Sequence, residues 1–257
     1  MKALILNSGK GTRMGDLTAD HPKCMTEIAS METILSRQLR QIADYGIKEV
    51  IITTGPFEDK LIHYVESLGL DLDYHFVRNP LYKETNYIYS IYLARELLED
   101  TELLLMHGDL VAENDVFFSF MEAEGSLVAG SSTKELPEKD FKAEIAKLVS
   151  DSEEMVDADE IESIIETPND DANGDYALPC WALWLSEIID VCEKSEEKDE
   201  PKSWKKQYAE EALNIVLPDM NLHLYDCGEK LCQEVDTPED LAIVSEKLRA
   251  VKNRKVY

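Results

Sequence analysis

This 257-residue sequence lacks the features of a secreted, membrane-spanning or disulfide-stapled protein. It has no apolar run of the length that crosses a bilayer. Met1 and Lys2 lead into a short apolar stretch and then a polar loop, not into a secretory signal. The five cysteines are odd in number, scattered and without CxxC spacing, which argues against a disulfide framework or a zinc site. We therefore expect a cytoplasmic protein with reduced thiols.

Positive charge is also scarce, because 26 Lys and Arg stand against 53 Asp and Glu and leave a formal net charge of −27. Such a surface repels nucleic acid and anionic membranes, so neither is expected as a partner. It repels small phosphates as well, and a phosphate site would have to depend on a few locally placed cations. Lys10, Arg13 and Lys23, which cluster near the N-terminus, are the candidates for that role.

The order of apolar segments predicts the fold class. Short, largely apolar runs at 49–55, 72–77, 103–106 and 127–130 are typical of strands, and segments with helical spacing lie at 31–45, 58–68, 86–98 and 116–124. Strands that alternate with helices and are apolar on both faces indicate a mostly parallel sheet covered by helices. We predict a Rossmann-like, three-layer α/β/α fold with a mostly parallel mixed sheet, in a single domain over residues 1–257.

The second half of the chain departs from this pattern. Residues 150–175 carry many acids and no Lys or Arg, so the segment 133–178 is predicted to be an acidic insertion or lid, with a disordered linker as an equal alternative. A strand is predicted over 177–185, which contains Trp181 and Trp184, followed by helices over 186–192 and 207–216. Two short strands at 222–225 and 232–236 precede a closing helix from Thr237 to about residue 248, which opens with a capping signature.

The most informative stretch is the glycine-rich loop that follows the apolar N-terminal residues. It contains Gly9, Lys10, Gly11, Thr12 and Arg13, with Pro22 and Lys23 shortly afterwards. Glycine brings backbone N–H groups close to a ligand and Lys and Arg supply countercharge, so the loop is suited to a polyphosphate. A dinucleotide fingerprint is excluded because Met14 stands in place of its third glycine, and a Walker loop is excluded because its Lys-Ser/Thr step is missing.

The N-terminal part of the chain resembles the signature of the sugar-phosphate type of nucleotidyltransferases. That signature consists of an apolar strand, a G-x-G-T-R loop and a P-K step. The resemblance implies that the loop wraps a nucleoside triphosphate, that Lys10 and Arg13 hold its β- and γ-phosphates, and that Lys23 stabilises charge at the α-phosphorus. The family's usual pair of alanines is replaced by Asn7 and Ser8. The nucleotide-binding residues implied in this way are Leu6, Asn7, Ser8, Gly9, Lys10, Gly11, Thr12, Arg13, Lys23, Asn79, Asn86, Ser90 and Gly108.

Two aspartates extend the resemblance. Asp109 follows a buried strand, and the carboxyl end of a parallel strand is where such sheets bind ligands. Asp236 directly precedes the closing helix. In the family these positions hold Mg²⁺, which prefers oxygen ligands. A turn or capping role is the alternative for each, and the predicted catalytic residues are Lys23, Arg13, Asp109 and Asp236.

The segment from Asn86 to Ser90 resembles a segment of the CTP:phosphocholine cytidylyltransferase branch, and residues 136–141 and 207–214 resemble further segments of that branch. The branch implies that CTP reacts with a small phosphorylated amino alcohol or an aminophosphonate to give a CDP-linked product and pyrophosphate. A pocket of aromatic and acidic side chains would suit the ammonium group of such an acceptor. The residues predicted to form it are Tyr87, Tyr176, Trp181, Tyr208, Glu210 and Glu211, with core packing as the alternative for each aromatic ring.

Two other functions remain open at this point. A sugar-1-phosphate acceptor would call for hydroxyl-binding Asn, Glu and backbone groups more than for aromatic rings. A non-catalytic nucleotide-binding regulator of the same fold would have no need of Asp109, Asp236 and Lys23 together. An oligomer is compatible with the sequence, which carries no specific sign of one.

Overall fold

The computed structural model describes residues 1–29, 31–99, 101–130, 142–145, 161–165, 176–178, 181–194 and 207–254. The strands are β1 (Lys2–Leu6), β2 (Glu27–Ala29), β3 (Glu32–Thr33), β4 (Glu49–Thr54), β5 (Asp73–Arg78), β6 (Leu103–His107), β7 (Leu110–Ala112), β8 (Ser126–Gly130), β9 (Lys142–Ile145), β10 (Ile161–Ile165), β11 (Tyr176–Leu178), β12 (Leu222–Asp226) and β13 (Cys232–Glu234). The helices are α1 (Ile34–Tyr45), α2 (Glu58–Ser67), α3 (Tyr87–Leu98), α4 (Asn114–Glu122), α5 (Trp181–Lys194), α6 (Ala209–Val216) and α7 (Pro238–Arg254).

A seven-stranded sheet in the order β12-β8-β11-β6-β1-β4-β5 forms the centre of the molecule. β1 pairs in parallel with β4 and β6, β4 with β5, and β12 with β8, whereas β11 is antiparallel to both of its neighbours. The predicted mostly parallel mixed sheet is therefore confirmed. Because β1 lies between β4 and β6, the carboxyl ends of these three strands meet at one edge, where sheets of this kind bind ligands.

Both faces of the sheet are buried, which explains why its central strands are almost entirely apolar. Alternate residues of a strand point to opposite faces, and β1 follows this rule. Leu4 joins a cluster that contains residues of α3, α5 and α6, whereas Ala3 and Ile5 join a second cluster that contains residues of α1, α2 and α4. Helices thus cover the sheet on both sides, as the sequence predicts.

The predicted strand over 177–185 is wrong in its second half, because Trp181 and Trp184 lie in α5. Both indole rings are buried and meet edge to face, with their centroids 5.4 Å apart. Trp181 Nε1 donates to the carbonyl oxygen of Leu98 at 3.1 Å, and Trp184 Nε1 donates to that of Ala209 at 2.8 Å. An apolar run of this length does not by itself distinguish a buried strand from a buried helix. The closing helix also runs further than predicted, to Arg254.

Three short pieces of the predicted 133–178 insertion fall within the described residues. β9 and β10 form a separate antiparallel pair, and β10 lies against α6 and β12. β11 belongs to the central sheet, between β6 and β8. Most of the predicted insertion, including 166–175, lies outside the described residues, and its bounds stay a prediction.

Within the described ranges, no helix combines the length and the apolar character that a membrane span requires.

Candidate active site

The glycine-rich loop leaves β1 at the edge where β4 and β6 also end, and its residues Gly9, Lys10, Thr12 and Arg13 are exposed. Gly11 adopts a φ of 64°, in the left-handed region that favours glycine. A Cβ atom there would lie 2.9 Å from Lys23 Cβ. The glycine therefore allows the loop to pack directly against the segment that carries Lys23.

A second glycine brings β6 close to the end of β1. A Cβ atom on Gly108 would collide with the side-chain oxygen of Asn7 and with the carbonyl oxygen of Leu6. The Gly108 N–H donates to that Leu6 oxygen at 3.0 Å, which ties the two strand ends together. This close approach places Asp109, the next residue, beside the loop.

The four predicted catalytic side chains converge at this position. Lys23 Nζ lies 2.7 Å from Asp236 Oδ1 and forms a second, shorter ion pair with Asp109 Oδ2. Arg13 Nη2 lies 2.8 Å from Asp236 Oδ2. Burial lowers the pKa of Lys23, but the charges of Asp109 and Asp236 and the hydrogen bonds to them together raise it above its ordinary value. Lys23 is therefore a protonated ammonium shared by two carboxylates.

A short ladder absent from the sequence predictions brings the two aspartates together. β7 begins directly after Asp109 and pairs antiparallel with β13, so that Leu110 lies opposite Glu234. The Val235 N–H donates to the carbonyl oxygen of Asp109 at 3.0 Å. Asp236 follows immediately, so the ladder carries both carboxylates to one point although they are far apart in sequence.

The closing helix is capped without the carboxylate of Asp236. The backbone N–H groups of Asp236 and Thr237 donate to Asp240 Oδ2 at 3.1 and 2.7 Å. In return, the Asp240 N–H donates to Thr237 Oγ1 at 3.2 Å. The Asp236 carboxylate is thus directed to Lys23 and Arg13, and capping alone does not account for this residue.

Sequence reasoning missed a third carboxylate beside this pair. Glu234 Oε1 lies 2.8 Å from His107 Nδ1, and ligand atoms of His107, Asp109 and Glu234 all lie within 4.8 Å of one another. Burial, with the charge of Asp109 beside it, raises the pKa of Glu234 above its ordinary value. The available signal was its position two residues before Asp236 in the strand predicted over 232–236, where alternate residues share a face.

A buried polar network links three of the predicted nucleotide-binding residues. Asn79 Nδ2 donates to Ser90 Oγ at 3.0 Å, and Ser90 Oγ donates to Ser8 Oγ at 2.9 Å. Asn79 and Ser90 are each 1% exposed. Asn86, in contrast, caps α3, because its side-chain oxygen accepts the N–H of Tyr87 at 2.8 Å. The network connects the ends of β1 and β5 with the first turns of α3.

An aromatic and acidic group lies next to His107. The ring of Tyr87 is 5.3 Å from that of His107 and 5.9 Å from that of Tyr208, measured between centroids. The Tyr87 hydroxyl donates a short hydrogen bond to Glu210, which is 2% exposed. Burial, assisted by the charges of Glu234 and Glu211, raises the pKa of Glu210 to about 8.

Two other predicted substrate-binding residues lie elsewhere. Trp181 is 1% exposed within the core, so its predicted role in a ligand-facing aromatic wall is wrong. Glu211 is exposed, whereas Glu210, its neighbour on α6, is buried and contacts Tyr87. Tyr176 lies in β11, but its side chain is outside the described part of the structure, and its role stays a prediction.

Comparison with known proteins decides the family. The family model described as "Nucleotidyl transferase" matches residues 2–230. The chain belongs to the nucleotidyl transferase family. Relatives include CMP-5'-(3-aminopropyl)phosphonate synthase from Streptomyces rubellomurinus, 33% identical over 132 residues, which are 51% of this chain and 21% of that protein. CTP:phosphoglutamine cytidylyltransferase from Campylobacter jejuni is 28% identical over 132 residues, covering 49% of this chain and 51% of that protein. The matches thus span between a fifth and a half of these relatives.

The nucleotidyl transferase fold is also evident from solved structures. CTP:phosphocholine cytidylyltransferase from Streptococcus pneumoniae superposes with a TM-score of 0.69 at 19% identity, and the alignment covers 96% of this chain and 98% of that one. The structural likeness therefore covers more of the chain than the sequence matches do.

Phosphate and carboxylate groups are both anionic and repel each other. The nucleotidyl transferase site can therefore bind phosphate next to its carboxylates only if a cation lies between the phosphate and the carboxylates. Asp109 Oδ1 is buried and accepts no hydrogen bond from the described residues, and Asp109 and Asp236 already share one cationic group, Lys23 Nζ. Two carboxylates that leave room for phosphate oxygens are a donor set that suits Mg²⁺. The residues present therefore fit the divalent ion that the resemblance implies.

Proposed function

We propose that this chain is a Mg²⁺-dependent cytidylyltransferase that joins CTP to a small phosphorylated amino alcohol or an aminophosphonate and releases pyrophosphate. The observation that carries the proposal is the convergence of Lys23, Arg13, Asp109 and Asp236 beside the glycine-rich loop. The choice of CTP is supported by the relatives, whose names describe cytidylyl transfer to a phosphonate and to phosphoglutamine.

The acceptor brings its own nucleophile in this reaction. A phosphate or phosphonate oxygen is anionic near neutral pH, so no general base is required. Its attack on the α-phosphorus of CTP forms a P–O bond and breaks the bond to the bridging oxygen of the β-phosphate. Pyrophosphate leaves with that electron pair, and catalysis consists of positioning and charge neutralisation.

The cations of the site divide between the two ends of the triphosphate. Arg13 and Lys10, exposed on the loop, hold the β- and γ-phosphates together with loop N–H groups. Lys23, on the segment that packs against Gly11, stabilises the charge that develops on the α-phosphoryl oxygens. Mg²⁺ held by Asp109 and Asp236 would supply further neutralisation of phosphoryl charge.

The acceptor end is assigned to the group formed by Tyr87, Tyr208 and Glu210. An aromatic face favours an ammonium by about 0.5–2 kcal/mol. The buried carboxyl of Glu210, with its pKa raised to about 8, is largely neutral near pH 7, and an ammonium beside it would favour its ionised form. A phosphorylated amine therefore complements this end of the site better than a sugar does.

The test is a pyrophosphate-release assay with Mg²⁺ in which the four NTPs are crossed with four acceptors: choline phosphate, ethanolamine phosphate, 2-aminoethylphosphonate and glucose-1-phosphate. We expect release with CTP and at least one amine. Release only with glucose-1-phosphate would support the sugar-phosphate alternative. No release with any pair, together with retained nucleotide binding, would support a regulator instead.

A further inference from the structure

Gln38 is a buried polar residue that joins α1 to the turn carrying Asp109. Its side chain is 1% exposed, and Nε2 donates to the carbonyl oxygens of His107 at 2.7 Å and of Leu110 at 3.0 Å. These carbonyl groups lie on either side of Gly108 and Asp109. One amide group therefore spans the whole turn between β6 and β7.

The turn has two other backbone attachments. Gly108 N–H binds the end of β1, and the carbonyl of Asp109 accepts from Val235 N–H, as described above. Both partners belong to segments that a ligand would contact, the nucleotide loop and the strand before Asp236. Gln38, in contrast, lies on a helix packed in the core, and its contact fixes the turn to a rigid element.

We infer that Gln38 is a positioning residue that sets the Asp109 carboxylate for divalent-cation binding. The inference depends on the proposed function, because it takes Asp109 as a metal ligand. Without the Gln38 amide, the carbonyl groups of His107 and Leu110 lose this hydrogen bond, and the turn can relax away from α1. Partners that hold metal ligands in place typically change metal affinity by about 10- to 100-fold when they are removed.

Gln41 offers a matched control on the same helix. It is 3% exposed, and its Nε2 donates to the carbonyl oxygen of Ala112 at 3.2 Å and to Asn114 Oδ1 at 3.1 Å. In both glutamines Oε1 is buried without a hydrogen-bond partner in the described residues. Gln41 therefore matches Gln38 in burial and in its two donated bonds, but it holds the far end of β7 and not the turn.

The experiment compares Gln38→Met with Gln41→Met, each of which removes the amide and keeps the side-chain length. Mn²⁺ affinity is measured without nucleotide by titration calorimetry or by the electron paramagnetic resonance of free Mn²⁺. We expect Gln38→Met to bind Mn²⁺ about tenfold more weakly than the wild type, and Gln41→Met to bind like the wild type. Thermal unfolding checks that both variants are folded at the titration temperature. The loss of stability should be smaller in Gln41→Met, because Arg37 also donates to the carbonyl oxygen of Ala112 at 2.8 Å and to Asn114 Oδ1 at 2.9 Å.

Equal Mn²⁺ affinities in the two variants would overturn the positioning role. No Mn²⁺ binding by the wild-type protein would instead overturn the metal site of the proposed function, and this inference with it. If Gln38→Met does not fold, Gln38→Asn and Gln41→Asn replace the pair, since each keeps a neutral amide on a side chain shorter by one methylene group. A weaker Mn²⁺ affinity confined to Gln38→Asn would support the inference, and its absence would refute it.

Discussion

The ammonium of Lys23 lies between Asp109 and Asp236, the two carboxylates that we propose would hold the metal ion. Its side chain is 14% exposed, and its ammonium is paired with both residues. A divalent ion cannot share that position with the ammonium and has to displace it. We therefore predict that Lys23→Met, which removes the charge and keeps the stem, binds Mg²⁺ or Mn²⁺ more tightly in the absence of nucleotide, although it loses pyrophosphate release.

The magnitude follows from the two ion pairs. At an effective dielectric constant of about 20, unit charges about 4 Å apart interact by about 4 kcal/mol. When a metal ion displaces Lys23, part of this ion-pair energy is lost. The remainder is recovered when the displaced ammonium binds water or phosphate. We expect affinity in Lys23→Met to rise at least about tenfold, which corresponds to about 1.4 kcal/mol. Without a metal ion, Asp109 loses its ion pair while Asp236 keeps the one with Arg13, so the variant should be destabilised by at most about 3–5 kcal/mol.

The assay is Mn²⁺ titration of the wild type, Lys23→Met and Lys10→Met, combined with thermal unfolding at increasing Mg²⁺ concentration. Lys10 is the control because it lies exposed on the same loop. The melting temperature of Lys23→Met should rise more steeply with Mg²⁺ than that of the wild type, because a tighter ligand stabilises the native state more. Unchanged or weaker Mn²⁺ affinity in Lys23→Met would refute the idea that Lys23 and the metal compete for one position.

Three further predictions concern the carboxylates and the core. Asp109→Asn should abolish pyrophosphate release while CTP still binds measurably, and near-wild-type turnover would remove Asp109 from the catalytic residues. Glu210 has a pKa of about 8 in the folded protein, against an ordinary value of 4.5. Between these pH values the folded protein keeps the Glu210 proton and the unfolded chain loses it. The free energy of unfolding therefore falls as the pH rises through this range. The melting temperature of Glu210→Gln should consequently fall less over that range, and an equal fall in both proteins would contradict the assignment. Trp181→Phe removes the hydrogen bond to the carbonyl oxygen of Leu98 and part of the core volume, so the free energy of unfolding should drop by about 1–3 kcal/mol. The KM for the acceptor should not change. A raised KM would show that Trp181 contributes to the ligand site.

The fold was largely predictable because it depends on local patterns. The apolar runs that became β4, β6 and β8 are buried on both faces, and the helical spacing of α1 and α3 is pronounced. The place and direction of β11 in the sheet were not predictable in the same way, because its antiparallel insertion between β6 and β8 depends on pairing with distant strands. Trp181 shows the other limit, since an apolar segment suits a buried strand and a buried helix equally.

The site was predictable where a motif names the residues and unpredictable where contacts join distant segments. The loop and the two aspartates follow from motifs, and the structure brings them together through Lys23. The His107 to Glu234 contact joins residues 127 positions apart, and Gln38 reaches a carbonyl 69 positions away. No local spacing indicates such pairs, because the sheet order and the β7–β13 ladder create them.

Direct identification of the product tests the central claim most directly. Wild-type protein and Asp109→Asn are incubated with CTP, Mg²⁺ and an equimolar mixture of choline phosphate, ethanolamine phosphate, 2-aminoethylphosphonate and glucose-1-phosphate, and the products are identified by mass spectrometry. The proposed function predicts a cytidylyl conjugate of at least one amine-bearing acceptor in the wild type and none in Asp109→Asn. A conjugate of glucose-1-phosphate alone, or no conjugate from the wild type, would contradict it.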